Sequence, residues 1–75
     1  KMKSFNLEDA LSGKPVVTRD GKRVTDIVLS PIAPIYKKIH AEVDTSVYTY
    51  SDNGSYYVNG SESSFDLFMK VETVI

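Results

Sequence analysis

Two Xaa-Gly steps constrain this chain more than any other feature. Asp20-Gly21 lies between Val16-Val17-Thr18-Arg19 and Lys22-Arg23-Val24-Thr25, and Asn53-Gly54 lies between Val47-Tyr48-Thr49-Tyr50-Ser51 and Ser55-Tyr56-Tyr57-Val58. Such a step between β-prone runs is a strong hairpin signal, because a two-residue type I′ turn needs positive φ at both centres and Asp, Asn and Gly tolerate it. That register sets Arg19 against Lys22, Thr18 against Arg23 and Val17 against Val24. In the second hairpin it sets Tyr50 against Tyr57, Ser51 against Tyr56 and Thr49 against Val58. Aromatic cross-strand pairs of this kind contribute roughly 0.2–1 kcal/mol each.

The remaining elements follow from local chemistry. Phe5 to Gly13 reads as a short helix. Asn6 suits the N-cap, Glu8 and Asp9 suit the positive end of the dipole, and Gly13 with Pro15 ends it. Leu7, Ala10 and Leu11 share one face, which must dock because two turns alone are marginal in water. The second strand of the first hairpin extends through Asp26-Ile27-Val28-Leu29, and Pro31 and Pro34 interrupt it. Ile35 to Asp44 alternates with period two, placing Ile35, Lys37, Ile39, Ala41 and Val43 on one face, so a half-buried antiparallel strand is expected. A loop over 59–64 leads to a last strand over Phe65 to Val74, with Leu67, Met69 and Val71 opposed to Phe68, Lys70 and Glu72. The expected fold is α+β and mostly β. One short N-terminal helix packs on a curled antiparallel meander of about six strands, with a small open β-barrel as the alternative.

A chain of 75 residues makes one small domain over 1–75. It buries about 60% of its unfolded surface, which is a thin core. It has no cysteine, so disulfides, thiol chemistry and Cys-based zinc sites are excluded. Its one histidine, His40, is read as a solvated surface residue. His40 neighbours Glu42, but no Ser is placed to complete a triad and no nucleophile elbow is present. No enzymatic activity, cofactor or metal site is expected. Asp52-Asn53-Gly54-Ser55 lacks calcium-loop spacing and is explained by the turn. No run is long and apolar enough to span a bilayer and no apolar region follows Lys1-Met2-Lys3, so no membrane contact and a cytoplasmic location are expected. Met2 reads as the natural start, with Lys1 an added residue.

Binding is the function class left. Nine basic and ten acidic residues give a net charge of −1, which argues against a general nucleic-acid coat. Arg19, Lys22 and Arg23 nevertheless crowd the first turn, and all five tyrosines fall between positions 36 and 57. Basic residues beside aromatic platforms are the ingredients of nucleotide and single-strand recognition. Tyr and Arg are also the residues that dominate protein interfaces. The candidate binding residues are therefore Arg19, Lys22, Arg23, Tyr48, Tyr50, Tyr56 and Tyr57. Their expected partner is a host or phage protein through a tyrosine-rich sheet face. The alternative is a homo-oligomer that captures a nucleotide or contacts nucleic-acid phosphate.

Three blocks carry a resemblance: Phe5-Asn6-Leu7-Glu8-Asp9-Ala10-Leu11, then Gly13-Lys14-Pro15-Val16-Val17-Thr18-Arg19-Asp20-Gly21-Lys22-Arg23-Val24-Thr25, then Gly60 followed by Asp66-Leu67-Phe68-Met69. With these the chain resembles a group of short uncharacterised phage and prophage accessory proteins. That group has an N-terminal acidic helix, a "PVVTRDG" hairpin and a C-terminal "DLFM" strand. The resemblance implies a context: a small accessory protein made in an infected or lysogenic bacterium. By analogy it implies stoichiometric inhibition of host machinery such as CRISPR or nucleotide-signalling defence.

Overall fold

The structure is a computed structural model and describes residues 2–71. Its order is β1 (Met2–Ser4), α1 (Leu7–Leu11), β2 (Val16–Thr18), β3 (Val24–Leu29), a 3-10 turn (Ile35–Lys37), β4 (Ile39–Val43), β5 (Ser46–Tyr50) and β6 (Leu67–Lys70). The mostly β class with six antiparallel strands and one short helix is the expected one. The strands divide between two three-stranded sheets, a first in the order β1-β6-β2 and a second in the order β3-β4-β5. Among the described residues they form no closed barrel. β1, which precedes the helix, has no signal in the sequence.

α1 forms as its caps dictate. The Asn6 side chain accepts from the Asp9 amide at 3.0 Å, and Gly13 takes φ +101° just past the helix. Its docked face differs from the expected one. Ala10 is buried and Leu7 half-buried, but Leu11 is 48% exposed. Leu11 is the last residue of the helix and lies along the open cleft between the α1–β2 corner and β3.

Both Gly turns occur, but neither is a two-residue loop. The Thr18 amide donates to the Lys22 carbonyl (2.8 Å) and the Gly21 amide to the Thr18 carbonyl (2.9 Å). Ser51, Gly54 and Ser55 repeat that pattern, with both distances at 2.9 Å. Asp20 and Asn53 keep negative φ and only the glycines are positive, so each loop gains a third residue as a G1-type bulge. The first register shifts by one: Val17 opposes Arg23, not Val24. In the second hairpin residues 55–58 form no strand, so the expected Tyr50–Tyr57, Ser51–Tyr56 and Thr49–Val58 ladder is absent.

After that single bridge β2 and β3 part. β2 pairs with β6, setting Val17 against Phe68. β3 pairs with β4, with a bulge at Thr25 that bends it, since an unpaired extra residue kinks a strand. The Ile35–Asp44 alternation is split. Its second half is β4, with Ile39, Ala41 and Val43 buried, while its first half is the 3-10 turn. β4 and β5 close through Asp44 (φ +49°) and Thr45 (φ +66°), the one place among the described residues where two adjacent residues both have positive φ, as a type I′ turn needs. The last strand is shorter than expected. Leu67 and Met69 face the core, while Glu72 and Val74 lie outside the described residues. The core joins Val16, Leu67 and Met69 of the first sheet to Ile39, Ala41 and Tyr50 of the second, with Ala10 beside them.

Candidate functional site

The basic turn is held tightly by its own chain. The Thr18 hydroxyl donates to the Asp20 carboxylate and accepts from the Lys22 amide. That hydroxyl, before any charge, holds the Asp20 carboxyl below the usual carboxylate range. Lys22 lies 3.5 Å from Asp44 and 3.9 Å from Asp20. Arg19 is engaged further. Its Nε donates to the Ser63 carbonyl at 3.1 Å, one terminal nitrogen lies 3.1 Å from Asp66 and the other 3.4 Å from Glu62. The guanidinium carbon sits 4.7 Å from the centre of the Phe68 ring, a cation–π contact. Of Arg19, Lys22 and Arg23, only Arg23 has no ion pair among the described residues. It lines a cleft of about 720 Å³ between the α1–β2 corner and β3, together with Lys14, Lys70 and Asp26.

Asp66 is the hub that sequence reading missed. It is 6% exposed and accepts from the Tyr56 amide (2.9 Å), the Ser63 amide (3.0 Å) and Arg19. Burial pushes its carboxyl up, but the two amides and the guanidinium outweigh burial and hold it below the usual range. A signal was present: an acid inside Phe65-Asp66-Leu67-Phe68 must be paired once that apolar run is buried.

Tyr48, Tyr50, Tyr56 and Tyr57 form a ring cluster continuous with the core, not a flat face. Tyr48 stacks on Phe65 with ring centres 4.9 Å apart. Tyr56 meets Tyr48, Tyr50 and Tyr57 edge-on at 6.1, 5.8 and 5.2 Å. Tyr50 is 0% exposed and so offers no ring to a partner, while Tyr57 is 48% exposed. Burial raises the Tyr50 hydroxyl above the ordinary tyrosine value, and that hydroxyl has no hydrogen-bond partner among the described residues. Asp66 ties this cluster to the basic turn, holding Tyr56 through one oxygen and Arg19 through the other.

Exposed apolar side chains occur at several places, among them Val47, Val58 and Val28, and three of them share the crest joining β3 to β4. Ile32 is 94% exposed, Ile35 63% and Tyr36 42%. The crest is ordered from beneath. Lys38 donates to the Ala33 carbonyl at 3.1 Å and the Lys37 amide to the Pro34 carbonyl at 2.9 Å. A lysine thus satisfies the crest's backbone while its apolar side chains face water, the reverse of the usual division.

Comparison with protein-family models, curated proteins and solved structures finds no match. His40 is half-buried on the outer side of β4, opposite Val28 and Thr49, with no serine in either facing position. Among the described residues no group of three His, Asp or Glu side chains is placed to hold a metal ion. No helix among them is long and apolar enough to cross a membrane.

Proposed function

We propose that this chain is a small non-enzymatic binding protein that acts stoichiometrically on a protein target. The apolar crest carries that reading. Ile32, Ile35 and Tyr36 stand out on a braced loop, and contiguous exposed apolar groups on a small domain mark protein interaction sites. The resemblance to phage accessory proteins supplies the class of target: a bacterial host protein, with the chain serving as an anti-defence inhibitor of the anti-CRISPR kind. The partner is a protein in preference to a nucleotide because Arg19 and Lys22 already hold carboxylates of their own chain.

The test is phage plating on bacteria that carry defined defence systems, with and without the expressed chain. Wild type restores plating against one of them. An Ile32→Asp/Ile35→Asp variant with an unchanged circular dichroism melt does not, since losing a hot-spot anchor weakens binding by about tenfold or more. Wild type without effect on any of the systems overturns the anti-defence reading. A folded variant as active as wild type overturns the role of the crest.

A further inference from the structure

β3 is an edge strand, and no strand among the described residues pairs with its outer side. The direction of its backbone groups follows from its ladder. The Ser30 amide donates to Lys38, so by antiparallel alternation Val28 and Asp26 exchange hydrogen bonds with His40 and Glu42. The N–H and C=O groups of Ile27 and Leu29 therefore point away from β4, out of the sheet. Native proteins protect such edges with lysine, proline or inward charge. The sequence Val24-Thr25-Asp26-Ile27-Val28-Leu29 has a single charge, and Val28 is 56% exposed and Leu29 37%. The bulge at Thr25 and the proline at 31 bracket an open stretch from Asp26 to Ser30. Beside its first half lies the 720 Å³ cleft, whose far wall is the α1–β2 corner.

We infer that this edge is a self-association surface: two copies pair β3 with β3 antiparallel about a two-fold axis at Val28. In that register Val28 faces Val28 of the second copy, and Ile27 faces Leu29 with both outward hydrogen bonds exchanged, twice over by symmetry. Asp26 falls opposite the second copy's Ser30, so no like charges meet. The absence of charge that would repel a copy, and the self-complementary order of apolar residues, favour a second copy over an unrelated strand. The joined sheets make one six-stranded layer, with the two crests at opposite ends of the paired strands. The inference does not depend on what the crest binds.

Sedimentation equilibrium across protein concentration tests it. The 8.4 kDa chain shifts from monomer toward twice that mass as concentration rises. Ile27→Pro removes a donor that serves only the free edge and leaves the β4 ladder intact, so it is monomeric at every concentration. Val28→Lys puts a charge at the two-fold axis and is likewise monomeric; it decides the matter if the proline variant does not fold. Hydrogen exchange gives an independent readout. The Ile27 and Leu29 amides gain protection with concentration, while Val28 is protected throughout. A wild-type chain that stays monomeric, or a folded variant that still dimerises, overturns the inference.

Discussion

Gly54 does two jobs at once, and replacing it with alanine separates them. Its φ is +88°, and a Cβ built on it would lie 2.9 Å from Cγ, 3.0 Å from Cβ and 3.1 Å from Cδ2 of Phe5. Gly21 has nearly the same conformation, φ +87°, with nothing within 4 Å of the corresponding Cβ. Positive φ costs an L-residue about 1–2 kcal/mol, and the stiffer unfolded chain of alanine returns about 0.4–1. Gly21→Ala should therefore lose about 0.5–1 kcal/mol. Gly54→Ala carries that loss and an overpacking cost of about 1–3 kcal/mol. The near end of a ring packed against the core cannot swing aside as a flexible side-chain tip would. At about 4–8 °C per kcal/mol for a domain of this size, Gly54→Ala, losing about 1.5–4 kcal/mol in all, should melt roughly 6–30 °C below wild type. Gly21→Ala should melt less than about 8 °C below it. With no tryptophan present, urea and thermal melts are followed by far-ultraviolet circular dichroism and tyrosine fluorescence. Phe5→Ala removes the obstruction, so the Phe5→Ala/Gly54→Ala double variant should cost about 1 kcal/mol or more less than the sum of the singles. Equal losses at Gly21 and Gly54, or strict additivity with Phe5, would refute the steric argument.

Two further predictions concern buried polar groups. Tyr50→Phe deletes the unpartnered hydroxyl and should leave stability unchanged or raise it by about 1 kcal/mol, read as the urea midpoint. Tyr50→Ala should cost about 3–5 kcal/mol. Because the folded Tyr50 hydroxyl is raised, its stabilisation is complete below the unfolded value near 10 and is lost as pH rises toward the folded one. Absorbance titration should show one tyrosine ionising only as the chain unfolds. For Asp66 the sign is opposite. Its folded value is lowered, so its contribution is complete above the unfolded value near 3.9 and is lost as pH falls through the folded one. Asp66→Asn should cost about 2–3 kcal/mol at pH 7, below the loss for a fully buried pair because Arg19 is partly exposed. The gap to wild type should close in acid; a gap that persists unchanged below pH 3 contradicts the charge-based account.

Local chemistry was legible in this chain and long-range pairing was not. Asn6, Glu8, Asp9 and Gly13 specify the helix from within their own neighbourhood. Ile39, Ala41 and Val43 alternate because a half-buried strand must. Gly21 and Gly54 mark reversals, but type I′ and G1-bulge loops use the same dipeptides, and the choice between them moves the register by one residue. The Asp44-Thr45 turn carries no glycine at all and holds a β-branched residue at φ +66°, a position that local preference opposes. Ile35 fits the period of β4, yet Pro31, Pro34 and the Lys38 ammonium divert it into a 3-10 turn. Arg19 reads as a free surface cation because the acid that holds it, Asp66, immediately precedes β6, a strand that joins β2 only in three dimensions. Tyr48, Tyr50, Tyr56 and Tyr57 meet in space, but their rings pack on Phe65 and the core in place of forming a face, and Tyr36 stands apart on the crest.

The central place of β6 in the first sheet has a consequence for how the chain is made. β3, β4 and β5 are neighbours in sequence, joined by the nine-residue crest and a two-residue turn. They can pair as soon as residues 24–50 exist, and local contacts form fastest. β1 and β2 are made earlier yet cannot pair with each other, because β6 lies between them. Val16, Val17 and Thr18, all buried in the finished protein, have only the turn to Lys22 and the Val17–Arg23 bridge until Leu67–Lys70 arrive. Synthesis proceeds at about 5–20 residues per second, so that wait lasts seconds. The first sheet is then completed in one late, non-local insertion. β1 and β2 are made before the second sheet and secured after it.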